Sequence, residues 1–257
     1  MHILSDGRIA HVGEQAQTWT YDLDDGWAFE TWNNFGWRCQ GTSVLIPGRT
    51  DEIMIIGGNC PLTNTAEIID FGDADPTYSY TTSMSYPRAH ADAVILPDKT
   101  ILVVGGGQDG LYDSPVNVPE LYDPATDTWT ELPAHAHGRM YHATTVLLPD
   151  GRVIVAGQDS GPGTFTGEIY RPAYLFRGPR PNLTQAPSVI QLGTSFEIES
   201  DQPLDALVLI KLTSVTHSVN FEQRMVELDL ADEGDGVYTA SLTSNPNVAI
   251  PGHYMLF

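Results

Sequence analysis

Lysine is nearly missing from this chain. Lys99 and Lys211 are the only two, and all the lysines and arginines together number 12 against 33 acidic residues, for a net charge of −21. A field this negative repels phosphates, which argues against nucleic acid and anionic membrane surfaces as partners. A lysine-poor acidic surface suits a secreted or salt-adapted protein, and equally a merely soluble one, and it names no substrate. No run of about 18 apolar residues occurs, so no helix crosses a membrane. The first nine residues carry Asp6 and Arg8 where an export signal would be apolar, so no such signal is visible. A glycine-rich phosphate loop, a Gly-x-Ser-x-Gly elbow and a Cys-x-x-Cys pair are all lacking. No segment shows a helical period of 3.6 residues, which excludes a helical repeat.

What is present is a β repeat. A turn between apolar stretches recurs at Leu4-Ser5-Asp6-Gly7, Ile46-Pro47-Gly48, Leu96-Pro97-Asp98-Lys99 and Leu148-Pro149-Asp150-Gly151, in steps of 42, 50 and 52 residues. After the last three turns come Ile53-Met54-Ile55-Ile56, Ile101-Leu102-Val103-Val104 and Val153-Ile154-Val155-Ala156, apolar at nearly every position. Such strands are covered on both faces. A second landmark, Glu67-Ile68-Ile69-Asp70, Glu120-Leu121-Tyr122-Asp123 and Glu168-Ile169-Tyr170-Arg171, repeats in steps of 53 and 48. Two landmarks with a common period of about 50 residues predict kelch-type propeller blades. Three are complete and the first is partial, about three and a half in all. Gly57-Gly58, Gly105-Gly106-Gly107 and Gly157 then read as places where backbones crowd together.

Near Tyr174 the texture changes. Arg177-Gly178-Pro179-Arg180-Pro181-Asn182 is linker-like, and Phe196-Glu197-Ile198-Glu199 and Val226-Glu227-Leu228-Asp229-Leu230 alternate between apolar and acidic. Alternation places one face in a core and the other in water. The expected organisation is all-β: blades over residues 1–173 and an immunoglobulin-like sandwich over 174–257. The final Pro251-Gly252-His253-Tyr254-Met255-Leu256-Phe257 reads as a strand in want of a partner, which predicts a cut C-terminus.

The segment Gly138-Arg139-Met140-Tyr141-His142-Ala143-Thr144-Thr145, running on through Leu148-Pro149-Asp150-Gly151-Arg152-Val153, resembles the last propeller blade of the galactose oxidase and glyoxal oxidase family. Thr216-His217-Ser218-Val219-Asn220 and Pro251–Phe257 resemble segments of that family's C-terminal Early set domain. The resemblance implies a mononuclear copper site on the propeller axis, to which the second domain sends one loop up the channel. By motif match Tyr141 is the axial tyrosine and catalytic base, with His142 and His217 as imidazole ligands. Imidazole nitrogen with phenolate oxygen suits tetragonal Cu(II). The implied activity is oxidation of a primary alcohol, aldehyde or carbohydrate with reduction of O2 to hydrogen peroxide, in an extracellular protein. Gly138–His142 is closer to the glyoxal oxidase side, which favours small aldehydes or simple alcohols. The family also carries a second tyrosine joined to a cysteine as a radical cofactor. That Tyr-Cys pair is not identifiable here, and its blades are expected upstream of Met1, which would leave this chain inactive alone.

Read without the family, Tyr141 and His142 are a tyrosine and a histidine at a blade edge. Neighbours on a regular strand point to opposite faces, so both reach one metal only where the backbone is irregular. Cys39 falls in repeat register with Tyr141, and His90 with His142. Cys39 and Cys60 flank the hairpin at Pro47–Thr50, so a cross-strand disulfide, two free thiols and a thioether all stay open. His135-Ala136-His137 is either a metal-recruiting pair or a plain loop. Trp19, Trp27, Trp32 and Trp37 either pack between blades or stack on sugars. A second reading of the whole chain, a non-catalytic secreted propeller that binds glycan or protein partners, also remains.

Overall fold

A computed structural model describes residues 1–109, 113–159, 161, 163–217 and 219–257. Four antiparallel meanders follow one another, the last three built on the runs predicted from the repeat. The first holds His2–Ile3, Ile9–His11, Gln17–Asp22 and Gly26–Trp32, and the second Thr42–Leu45, Glu52–Ile56, Ala66–Asp70 and Tyr78–Tyr80. The third holds Ala89–Ile95, Ile101–Asp109, Glu120–Asp123 and Thr128–Glu131, with Asp113–Pro115 as a short strand on the extended end of the second. The fourth has three strands, Thr144–Leu147, Val153–Ala156 and Gly167–Tyr170. These are kelch-type blades, three and a half of them, but the short one is the last. Turn spacing misplaced it because the first turn, Ser5–Gly7, joins strands of only two and three residues.

Stacking explains the unbroken apolar runs. In the second blade Ile53 and Ile55 pack with Leu4, Ala10 and Val12 of the first, while Met54 and Ile56 turn to the third. Ile101–Val104 are all buried in a cluster that also takes in Val153 and Val155 of the fourth. Full burial of one such side chain is worth about 1.5–3 kcal/mol, so each blade is stable only between neighbours.

The glycines behave as packing devices. Gly57 and Gly105 have φ of +62° and +70°, and a Cβ there would lie 2.4 and 2.2 Å from the carbonyl oxygens of Arg88 and Arg139 in the next blade. Those arginines belong to a series that the repeat analysis missed. Arg38, Arg88 and Arg139 each pair with the glutamate landmark of the same blade, at 2.6 Å to Glu67, 2.6 Å to Glu120 and 3.0 Å to Glu168. The first two pairs are wholly buried, and every guanidinium also donates through its terminal nitrogens to backbone carbonyls, while Nε of Arg38 and of Arg139 has no partner among the described residues.

The C-terminal residues form a sheet of Leu183–Gln185, Ser195–Ser200, Val237–Ser241 and Asp229–Gly234 facing a second of Met225–Glu227, Val208–Lys211 and Tyr254–Leu256. Ile198 and Ala240 from one sheet meet Leu209 and Val226 from the other in a common core. This pair of sheets is not an isolated unit, because Val208, Ile210 and Met225 belong to the main blade core. Polar ties reinforce the junction: Arg224 donates to the carbonyl of Ile3 at 2.6 Å and Asn245 to that of Ser5 at 2.9 Å. The hairpin Ser214–Thr216 and Val219–Phe221 leaves this second body and lies against the inner strands of blades two, three and four. Ser218, part of the motif read from the sequence, lies outside the described residues.

Candidate metal centre

Inner strands of neighbouring blades converge around the inserted hairpin, and the residues just before them form the channel mouth. In the second, third and fourth blades that rim carries Gln40, His90 and His142, all left-handed with φ of +55°, +59° and +63°. Non-glycine residues pay a steric penalty there, so the conformation persists only where surrounding bonds hold it. At His142 the turn is closed by the amide of Ala143 donating to Met140 at 2.8 Å, and the regular strand begins only at Thr144. This is the irregular backbone that adjacent ligands require, and it lets two consecutive side chains share one side.

The three residues singled out from the sequence come together. Tyr141 stacks on His142 with ring centroids 3.8 Å apart and 29° between planes. His217, left-handed at φ +52° at the tip of the hairpin, brings its ring to 5.1 Å from His142 and 5.8 Å from Tyr141. The hairpin is fastened by buried side chains: Asn220 and Gln223 both donate to the carbonyl of Ala93, at 2.8 and 2.6 Å, and the amide of Ile95 donates to Gln223 at 2.9 Å. A loop histidine is thus placed by the inner strand of the third blade, 122 residues or more away in sequence.

Around these rings stand groups that sequence reasoning did not assign. Asp159 accepts a hydrogen bond from Nδ1 of His142 at 2.7 Å, and its amide donates to the carbonyl of Tyr141 at 3.2 Å. His217 engages Thr216 through its own Nδ1 at 2.7 Å. With Nδ1 engaged in both rings, Nε2 is the nitrogen that a metal could take, and a carboxylate behind a ligating histidine is the usual means of fixing its orientation. The donor set, two imidazoles and one phenol, fits cupric ion. Among the described residues no group of three or more His, Cys, Asp or Glu is placed to hold a metal ion.

At the same rim, His90 is buried and its pKa is lowered to about 4, chiefly by burial and then by the nearby charge of His142. Asp92, two residues on in the same strand, is fully buried and burial pushes its pKa up to about 7, with Thr145 pulling the other way. Cys39 and Cys60 form a disulfide, which settles the three alternatives; its Cα atoms are 5.5 Å apart. His135 is a loop brace, its Nδ1 bonded to the carbonyl of His137 while Glu168 accepts from the amides of Ala136 and His137. Of the tryptophans, Trp19 packs edge-on against Phe29, whereas Trp27, Trp32 and Trp37 are more than half exposed.

Residues 39–172 match the family described as Glyoxal oxidase N-terminus, and residues 180–257 match the Galactose oxidase-like, Early set domain. The chain belongs to the glyoxal oxidase family. Among its relatives a galactose oxidase of Gibberella zeae is 29% identical over 238 residues, 84% of this chain and 35% of that protein. An "Aldehyde oxidase GLOX" of Vitis pseudoreticulata is 31% identical over 204 residues, 68% of this chain and 39% of that protein. This member of the glyoxal oxidase family therefore spans little more than a third of the curated relatives it matches. A solved fungal alcohol oxidase of the AA5 family, in complex with copper, superposes with a TM-score of 0.90 at 28% identity, over 97% of this chain and 58% of that one.

Proposed function

We propose that this chain is the copper-holding portion of an extracellular oxidase of primary alcohols or aldehydes, with small aldehydes and simple alcohols favoured over sugars. The observation that carries this reading is the convergence of Tyr141, His142 and His217, contributed by a blade rim and by the inserted hairpin, within 5.8 Å of one another. The division of labour falls near Tyr174: residues 1–173 supply the rim, and 174–257, as an immunoglobulin-like sandwich, supply the loop histidine.

The balanced reaction takes two electrons and two protons from the substrate: an alcohol and O2 give an aldehyde and hydrogen peroxide. Bound copper would supply the Lewis acid and one electron acceptor. The second electron would go to the Tyr-Cys pair of a complete oxidase, and the chain's own residues serve metal binding and proton transfer. His142 and His217 would hold the ion through Nε2, Asp159 keeps the His142 ring oriented, and Tyr141 would take the substrate's hydroxyl proton on its phenol oxygen. His142 and Asp159 are each about 40% exposed, so a small substrate reaches the site from solvent. Neither cysteine serves as the thioether partner, since the two are bonded to each other and no free cysteine exists among the described residues. Turnover to peroxide is therefore expected of a protein that adds the Tyr-Cys pair, while copper binding is expected of this chain.

The test is copper titration followed by electron paramagnetic resonance. One equivalent should give a tetragonal Cu(II) signal with nitrogen hyperfine structure. His217→Ala should abolish it with the circular dichroism unchanged. Tyr141→Phe should keep the copper and, in a complete oxidase, lower kcat by about 10²–10⁴, the usual contribution of a positioned general base. Wild-type behaviour in both variants would overturn the assignment.

A further inference from the structure

His90 is the ring at the channel mouth to which the copper reading gives no task. It opens the inner strand of the third blade, and its amide donates to the carbonyl of Gln40 at 2.8 Å. Gln40 follows Cys39, whose disulfide to Cys60 and whose carbonyl, accepting from Asn59 at 2.7 Å, fix that side of the rim. The left-handed backbone of His90 is thereby held from the second blade, and its side chain reaches across to the fourth. There its ring meets Tyr141 at 4.8 Å between centroids and 65° between planes.

Its Nε2 is buried and has no hydrogen-bond partner among the described residues. A phenyl ring would fill the same space without stranding a polar atom, so the nitrogen calls for an explanation. The acceptor at hand is the π face of Tyr141, whose ring is also stacked on His142 at 3.8 Å. We infer that His90 is a positioning residue for Tyr141: its Nε2–H points at the phenol ring and, together with His142, fixes the plane of that ring. The consequence for turnover rests on the copper reading above, since a clamped ring presents its oxygen to the metal and the substrate in one orientation.

Metal-free protein labelled with ¹⁵N-histidine tests the contact without copper. Two-bond ¹H–¹⁵N correlations should show His90 as the Nε2–H tautomer, identified by loss of its signals in His90→Phe. Its Hε2 proton should lie upfield through the Tyr141 ring current, stay upfield in Tyr141→Phe and move downfield in Tyr141→Leu. If Tyr141→Leu does not fold, Overhauser contacts from Hε2 to the Tyr141 ring protons in wild type decide the point. An Nδ1–H tautomer, an Hε2 shift indifferent to Tyr141→Leu, or the absence of those contacts would overturn the inference whether or not copper binds. In a copper-loaded complete oxidase, His90→Phe should keep the copper signal and KM and lower kcat about two- to fivefold, the scale of one weak contact. An unchanged kcat would also overturn it. Failure of the wild-type chain to bind copper would sink the copper reading and leave the His90 contact to be judged by resonance alone.

Discussion

Asp159 carries two bonds to the site, one to the ring of His142 at 2.7 Å and one to the backbone of Tyr141 at 3.2 Å. Removing its charge should leave the fold intact and weaken copper ten- to hundredfold, the usual loss when a partner behind a ligand is altered. Asp159→Asn measured against a competing chelator checks this. A second residue-scale effect follows from Asp92. In the folded chain its pKa is raised from 3.8 to about 7, so the folded state holds a proton that the unfolded state releases. Stability is thus fully present below the unfolded pKa and declines as pH rises from about 4 to 7, by up to about 4 kcal/mol. Asp92→Asn should raise the melting temperature at pH 7.5 and change it little at pH 4, as thermal scans at the two pH values would show. Tyr141, His142 and His217 were legible only through the resemblance of their motifs to those of a known family. Asp159 was not, because it reaches His142 from 17 positions on through a loop whose course only the fold supplies.

At the scale of the element, the blade is held by its arginine–glutamate pair as well as by its strands. Arg88 and Glu120 lie 32 residues apart and are wholly buried, so removing one partner strands a charge in a dry interior. Glu120→Gln should cost about 3–5 kcal/mol in urea unfolding, and the double replacement Arg88→Met with Glu120→Leu should recover a large part of it. The glutamates stood out in the sequence as repeat landmarks. Their partners sit at Arg38, Arg88 and Arg139, in steps of 50 and 51 that a search for turns and apolar runs passes over. Doubly covered strands were legible in the same runs, since burial on both faces leaves no polar position to break them. The hairpin that delivers His217 was less so: nothing in residues 214–223 announces that Asn220 and Gln223 will bind the carbonyl of Ala93.

For the molecule as a whole, a charge of −21 is a standing source of self-repulsion. Several cations are already committed to paired acids, as at Arg38, Arg88, Arg139 and Lys99, and so do little to offset the remaining surface. Raising ionic strength from about 0.01 to 0.15 M shortens the Debye length from about 30 to 8 Å, which screens that repulsion. The melting temperature should rise over this range, and a fall would mean that exposed ion pairs outweigh the net charge. The junction between blades and C-terminal sheets belongs to this scale too. After the linker-like stretch at Arg177–Asn182, Val208, Ile210 and Met225 join the blade core.

The sequence by itself determined the all-β class, the blade period and the strand faces, and through its resemblance to a known family the identity of the three converging rings, because periodicity and short motifs are local properties of a chain. Only the tertiary structure decided that Cys39 bonds Cys60, that Asp159 stands behind His142 and that His90 lies against Tyr141. Those pairings depend on how blades rotate about an axis and on left-handed turns at the rim. Such geometry arises from packing between distant segments, and no residue carries it alone.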